Sequence, residues 1–262
     1  MYPERIICLT AETVETLYLL GAQDRIAGVT GYAVRPPEVR HEKPKVGAFT
    51  SARVDSIRAL EPDLVLTFSD LQADLAATLI RHGIEVHAFN QHTVAGILRM
   101  IMTLGSLVGA GDRAAALVRE LEAGLAAARQ RAADRARRPR VFFEEWDEPL
   151  ISATAWVSEL IELAGGVDVF ADRAHRPAAK DRIVAWRDVM EAQPDIIIGS
   201  WCGKRFVPAR VRARPDAAAA PAVRDGALHE VKSAVILQPG PGALTEGLAA
   251  LEAIIGGRVE GA

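Results

Sequence analysis

One strand motif occurs twice in this chain: Glu61-Pro62-Asp63-Leu64-Val65-Leu66-Thr67 in the first half and Gln193-Pro194-Asp195-Ile196-Ile197-Ile198-Gly199 in the second. Two similar α/β lobes are the reading that accounts for both copies. Between them, from Asp112 to Arg138, runs a stretch with no internal proline and a single glycine, rich in Ala, Leu, Arg and Glu, which reads as one long helix. Two lobes on a helical strut enclose a cleft, and clefts between domains are where small molecules are most often bound. The length of 262 residues suffices for two ordinary domains.

The first lobe alternates short apolar runs with helical patterns. Arg5–Leu9, Arg25–Val29, Lys45–Phe49, Asp63–Phe68 and Glu85–Phe89 are expected strands, and Thr10–Leu20, Asp55–Leu60, Gln72–Arg81 and Val94–Val108 expected helices. That alternation predicts a mainly parallel, Rossmann-like sheet. Gly21, Gly83 and Gly109 stand where helix ends favour glycine, and the proline-rich segment from Val34 to Pro44 reads as a loop. In the strut, Asp112 offers an N-cap, and Leu117, Leu121, Leu125 and Ala128 form one apolar stripe. A helix of roughly 26 residues would be about 39 Å long, too stiff for a free hinge.

The second lobe resumes with Arg140–Trp146 as a strand, Trp156–Leu163 as a helix ending at Gly165-Gly166, and a helix over Trp186–Ala192. The Asp195–Trp201 strand, a short helix plus loop over Arg210–Asp225, a strand over Leu228–Ile236 and a closing helix over Gly242–Ile255 follow. The expected domains are an N-terminal α/β lobe at 1–110, a connecting helix at 111–138 and a C-terminal α/β lobe at 139–262. The fold class is α/β, two lobes joined by one long rigid helix.

In an open parallel sheet ligands bind beyond the carboxyl ends of the strands, so the residues after each apolar run are the candidates. They are Tyr32; Phe49, Thr50 and Ser51; Phe68, Ser69 and Asp70; Asn90, Gln91 and His92; Glu144, Glu145, Trp146 and Asp147; and Trp201, Cys202, Lys204 and Arg205. In a chain only 5% aromatic, rings at the strand ends of both lobes suggest a broad, flat, partly apolar ligand. For any single ring, capping its own lobe's core is the commoner role. The acidic run Glu144, Glu145, Asp147 and Glu148 offers either a metal site or a carboxylate pair, and its bland reading is a solvated strand end. In a strand Glu144 and Glu145 point to opposite faces.

Of His82, His87 and His92, five residues apart, only His92 at a strand end suits an axial metal ligand. Gly199-Ser200-Trp201-Cys202-Gly203 puts tryptophan where a nucleophile elbow needs its nucleophile, so the hydrolase reading fails there. Cys202 has no histidine assignable to it, and an isolated cysteine is more often inert packing. Gln238-Pro239-Gly240-Pro241-Gly242 before the last helix offers backbone amides to an anion or amide group, or is simply a turn.

A net charge of −3 and a pI near 6.1 disfavour nucleic acid as a partner. No apolar run reaches the ~20 residues of a bilayer span, so membrane insertion is not expected. The start Met1-Tyr2-Pro3-Glu4-Arg5 enters a strand without the pattern of a secretory signal. A full-length chain would therefore be cytoplasmic; one from which a leader has been trimmed would be periplasmic.

Taken together, these residues resemble the bilobal binding proteins for cobalamin and iron siderophores that serve ABC importers, over essentially the whole chain. The Arg5–Leu9 start, the Leu60–Val65 strand, the strut and Pro194–Ile198 are general to that class. Phe143-Glu144-Glu145-Trp146-Asp147-Glu148-Pro149-Leu150-Ile151, Trp156-Val157-Ser158-Glu159-Leu160 with Gly165-Gly166, Ser200-Trp201-Cys202-Gly203 and Leu237-Gln238-Pro239-Gly240-Pro241 resemble its cobalamin-binding branch.

The resemblance implies the class III periplasmic-binding-protein fold, with a corrinoid (cobalamin or cobinamide) held non-catalytically between the lobes as ligand rather than cofactor. Its contacts would come from Tyr32, Phe49, Ser51, Phe68, His92, Glu145, Trp146, Trp201, Cys202 and Lys204. The implied partner is an ABC importer permease, with Asp74 near one expected docking position; a stand-alone corrinoid binder for salvage, storage or delivery is the other outcome. A ferric-siderophore or haem binder, and a corrinoid-modifying enzyme using the Glu144/Glu145 cluster or Cys202, are the alternatives.

Overall fold

A computed structural model describes residues 2–49 and 51–260. The described chain groups into two compact units, Met1–Gln91 with Ala95–Leu121, and His92–Val94 with Glu122–Ala262.

The first unit is built on strands β1 (Ile6–Cys8), β2 (Ile26–Thr30), β3 (Lys45–Gly47), β4 (Leu64–Phe68) and β5 (Val86–Phe89), in the order β3-β2-β1-β4-β5. Every pairing is parallel. Helices α1 (Ala11–Leu19), α2 (Val39–Glu42), α3 (Val54–Arg58), α4 (Ala73–Arg81) and α5 (Val94–Leu107) alternate with them, and α6 (Gly111–Ala133) follows. Ile7, Leu9, Val46, Ile57, Val65 and Leu79 form a buried cluster, as strands covered on both faces require. Gly21, Gly83 and Gly109 all have positive φ after helices, as expected.

Two elements here differ from expectation. The Val34–Pro44 segment carries the one-turn helix α2: Pro36 and Pro37 precede the helix, where a missing N–H costs nothing, Pro44 follows it, and Tyr18 Oη donates to Glu42 Oε2 at 2.7 Å. Helix α6 has 23 residues, about 34 Å, and stops at Ala133, short of Arg138. Arg138 precedes a proline and is biased away from helical geometry, and the guanidinium groups of Arg135 and Arg138 donate to the Ala164 and Gly166 carbonyls.

The second unit has the sheet order β11-β10-β6-β9, from β6 (Arg140–Glu144), β9 (Val167–Asp168), β10 (Ile196–Gly199) and β11 (Leu228–Glu230), again all parallel. A hairpin of β7 (Trp146–Asp147) and β8 (Leu150–Ile151) stands apart from it. The helices are α7 (Ala155–Leu163), α8 (Ala171–Ala174), α9 (Trp186–Glu191), α10 (Pro208–Arg212), α11 (Pro221–Arg224), α12 (Ser233–Ile236) and α13 (Leu248–Glu260).

The expected strand to Trp146 breaks after Glu144, because the Glu145 N–H turns to the Ile151 carbonyl at 2.9 Å and starts the hairpin. The expected strand to Ile236 ends at Glu230. Its partner β10 ends at Gly199, whose carbonyl takes the Val231 N–H, and beyond that the ladder has nothing to pair with, so the chain turns into α12.

The duplicated motif does the same work in both units. Glu61 and Gln193 both adopt left-handed backbone, with φ of 46° and 45°. The aspartate after each proline then accepts from the backbone N–H of the arginine opening the neighbouring strand: Arg5 to Asp63 at 2.9 Å, Arg140 to Asp195 at 2.8 Å. Each arginine side chain donates to carbonyls at or just before the motif's start, Leu60 and Glu61 or Ala192. Strand register is set by a side-chain clamp as well as by the ladder.

Candidate functional site

At the carboxyl edge of the first sheet, one buried side chain braces three strand ends. Gln72 Nε2 donates to the carbonyls of Leu9 at 3.2 Å and Phe49 at 2.7 Å, while its Oε1 accepts from the Phe68 N–H at 2.9 Å. Gln72 is 1% exposed, so these bonds form away from competing water. The brace fixes the backbone that carries Phe49 and Phe68, both half-buried at the ends of β3 and β4. Tyr32, just beyond β2, is 56% exposed, and Ser51 is exposed nearby. Tyr32 and Ser51 line one open depression of about 490 Å³. Thr50 lies outside the described residues. A glutamine four residues past a strand-end aromatic was the signal for Gln72, and the sequence reading did not use it.

In the second unit three carboxylates of the acidic run, Glu144, Glu145 and Asp147, are engaged in ion pairs. Glu144 is fully buried at the end of β6, and its carboxylate is held bidentately by Arg214 at 2.7 and 2.8 Å and by the Trp201 indole N–H at 2.9 Å. Such a buried charge is tolerable because both carboxylate oxygens accept hydrogen bonds, two of them from a guanidinium. Glu145 pairs with Arg182, a 3% exposed guanidinium that also donates to the Ser152 carbonyl. Asp147 pairs with Lys204 and with Arg210 at 2.6 Å. Burial alone would raise the Asp147 carboxyl, but the hydrogen bond and charge of Lys204, with Arg210, outweigh it and hold the group below the ordinary carboxylate range.

No group of three His, Cys, Asp or Glu side chains suited to a metal occurs among the described residues. Glu144, Glu145 and Asp147 of this run act as counter-ions to basic side chains, while Glu148 is exposed. The basic partners Arg182, Arg210 and Arg214 were not expected to belong to the site, and only their recurrence in an Ala/Pro-rich stretch marked the last two.

Trp201 also departs from expectation. Its ring is 1% exposed, packs edge-on to Phe206 at 5.1 Å, and lies in the buried cluster with Phe142, Ile197 and Val211. The bland reading holds for this ring: its indole N–H completes the Glu144 cage instead of facing a ligand.

Trp146 is half-buried in the hairpin, donates from its indole N–H to the Glu148 carbonyl at 2.8 Å, and carries the Lys204 ammonium 3.9 Å from its ring centroid. Cys202 has an exposed surface, yet the neighbours around its sulfur partly desolvate it, and that desolvation and then the Glu145 charge push the thiol up, the opposite of what a reactive thiolate needs. His92 is half-buried and groups with the second unit. Of the expected amide-lined helix start Gln238–Gly242, Gln238 is half-buried and Pro239–Gly242 are buried, and a turn of π-helix over Ala243–Gly247 leads into α13.

The sequence matches the periplasmic binding protein family over residues 6–235, nearly the whole span just described. The chain belongs to that family. Among periplasmic binding proteins and their relatives, the cobalamin-binding protein of Halobacterium salinarum (strain R1) is 27% identical over 202 residues, covering 75% of this chain and 53% of its own length. The chain thus spans about half the length of that relative.

Two solved structures share the fold nearly end to end. The apo haem-binding protein RhuT from Roseiflexus sp. RS-1 has a TM-score of 0.81 at 25% identity, covering 96% of this chain and 99% of its own. The vitamin B12-binding protein BtuF of Vibrio cholerae has a TM-score of 0.79 at 22% identity, covering 98% of each chain. The fold is therefore the α/β, mainly parallel class III periplasmic-binding-protein fold expected from the sequence. Membership gives the cytoplasmic expectation no support, and the periplasmic alternative fits it better. No helix among the described residues is long and apolar enough to cross a membrane.

Proposed function

We propose that this chain binds a corrinoid, cobalamin or cobinamide, without chemical change, and presents it to an ABC importer permease. The observation that carries the reading is the row of aromatic side chains Tyr32, Phe49 and Phe68 at the ends of three strands of one sheet, two of them on backbone braced by Gln72. A preorganised row of rings suits a broad, flat, largely apolar ligand and adds little ordering cost on binding. The halobacterial relative's name supports a corrinoid as that flat ligand. Trp146, Lys204, Glu145, Cys202 and His92 belong to the proposed contacts from the second unit, and Trp201 acts behind them as a core support. The division into lobes at 1–110 and 139–262 around a connecting helix belongs to the same proposal. A second reading, haem, is favoured by the likeness to RhuT. The enzyme reading is disfavoured by an ion-paired Glu145 and by a Cys202 thiol pushed away from the thiolate by desolvation and the Glu145 charge.

The deciding experiment titrates the purified chain with cyanocobalamin, dicyanocobinamide and haem by calorimetry, and recovers the ligand for chemical analysis. Saturable corrinoid binding with unchanged ligand is expected. Trp146→Ala should weaken it by about 1–2 kcal/mol, roughly tenfold, while Trp201→Ala should lower stability and leave the affinity of the folded fraction close to wild type. Haem binding without corrinoid binding would replace the reading with its alternative, and a chemically altered corrinoid would make the protein an enzyme.

A further inference from the structure

The depression beside Tyr32 and Ser51 has a charge character that an apolar macrocycle does not explain. It is also lined by Lys45 and Arg53, and no carboxylate lines it. Neither cation makes an ion pair among the described residues, whereas Arg182, Arg210 and Arg214 in the second unit each have a carboxylate partner. Two unneutralised cations and two hydroxyls around one hollow make a favourable environment for an oxyanion.

The hollow is held open by its backbone. Gly31 donates from its N–H to the Gly47 carbonyl at 2.8 Å, the chain doubles back so that Gly47 bridges Ala52, and the Arg53 N–H returns to the Val46 carbonyl at 3.0 Å. A Cβ on Gly47 would meet Ala52 Cα at 2.6 Å and the Ser51 carbonyl oxygen at 2.8 Å, and its φ of +143° disfavours any side chain. The tight return that sets Ser51 and Arg53 beside Tyr32 and Lys45 therefore depends on glycine.

We infer that Lys45 and Arg53, with the Tyr32 and Ser51 hydroxyls, form a subsite for the anionic substituent of the ligand. The inference rests on the corrinoid reading. The amide side chains of a corrin are neutral, and the formal negative charge of cobalamin's nucleotide loop is its phosphodiester, which cobinamide lacks. The subsite thus makes the protein select nucleotide-bearing corrinoids over truncated ones. The propionate carboxylates of haem carry the same kind of oxyanion, so haem is the second possible source.

The test compares wild type, Lys45→Gln/Arg53→Gln and the control Arg58→Gln, an exposed cation outside the hollow, against cyanocobalamin, dicyanocobinamide and haem at low and moderate salt. The ratio of cobalamin to cobinamide affinity should fall about tenfold in the double variant, the loss expected for one charge-assisted contact, and the salt dependence of cobalamin binding should fall with it. An unchanged ratio with unchanged haem affinity, or the same change in Arg58→Gln, overturns the subsite and leaves the corrinoid reading standing. A loss confined to haem assigns the subsite to carboxylates and overturns the phosphodiester. If wild type binds neither corrinoid, the functional reading falls and the nucleotide-loop assignment falls with it.

Discussion

Glu12 is the residue whose setting is least expected of its type. It stands in the first turn of α1, 3% exposed, with Oε1 lacking a hydrogen-bond partner. Burial pushes its carboxyl up to about 7 from 4.5, against hydrogen bonds from its own backbone N–H and Thr10, with the Glu15 charge adding to the rise. A carboxyl that holds its proton more tightly folded than unfolded stabilises the fold below the unfolded pKa, and that contribution is lost as pH rises through the folded value. The wild type should therefore lose about 3 kcal/mol relative to Glu12→Gln between pH 4.5 and about 7.5, read from urea midpoints across that range. Parallel pH profiles for the two proteins would show that Glu12 ionises freely. Nothing in Thr10-Ala11-Glu12-Thr13 foretells this, because burial of a first-turn glutamate depends on what the rest of the unit lays over it.

Among the elements, the end of β10 shows how closely local packing governs the second unit. A Cβ at Gly199 would lie 1.8 Å from Phe206 Cδ2, so the strand's last residue must be glycine for Phe206 to pack against Trp201. Gly199→Ala should displace that ring and lower stability by about 1–3 kcal/mol, with near-ultraviolet circular dichroism reporting the disturbed Trp201. An unchanged spectrum and an unchanged unfolding midpoint would show that the ring relocates without cost. The strands that were legible from sequence, such as Leu64–Phe68 and Ile196–Gly199, are continuous apolar runs bounded by Pro-Asp and by polar residues. The misread ones, Glu145–Trp146 and Lys232–Ile236, are mixed polar and apolar extensions of such runs. Their state was decided by whether a neighbouring strand extended far enough to pair with them.

For the whole molecule, a ligand that binds the folded chain alone stabilises it by mass action. A corrinoid at a hundred times its dissociation constant should add about 2.7 kcal/mol, visible as a rise in the thermal midpoint that scales with the logarithm of ligand concentration. A midpoint indifferent to corrinoid would contradict the proposed function independently of any single contact.

The sequence by itself determined the duplicated Pro-Asp strand entry, the parallel α/β character of both halves and the aromatic residues at strand ends, because periodicity and turn chemistry are local properties of the chain. Only the tertiary structure decided which of those residues are free to meet a ligand. Trp201 and Glu144 are consumed by the core and by each other, Gln72 turns its amide back to brace three strand ends, and Lys45 and Arg53 come together at one hollow without a local signature. Burial and ion pairing are made between residues far apart in the chain, so they exist only once the strands have been laid side by side.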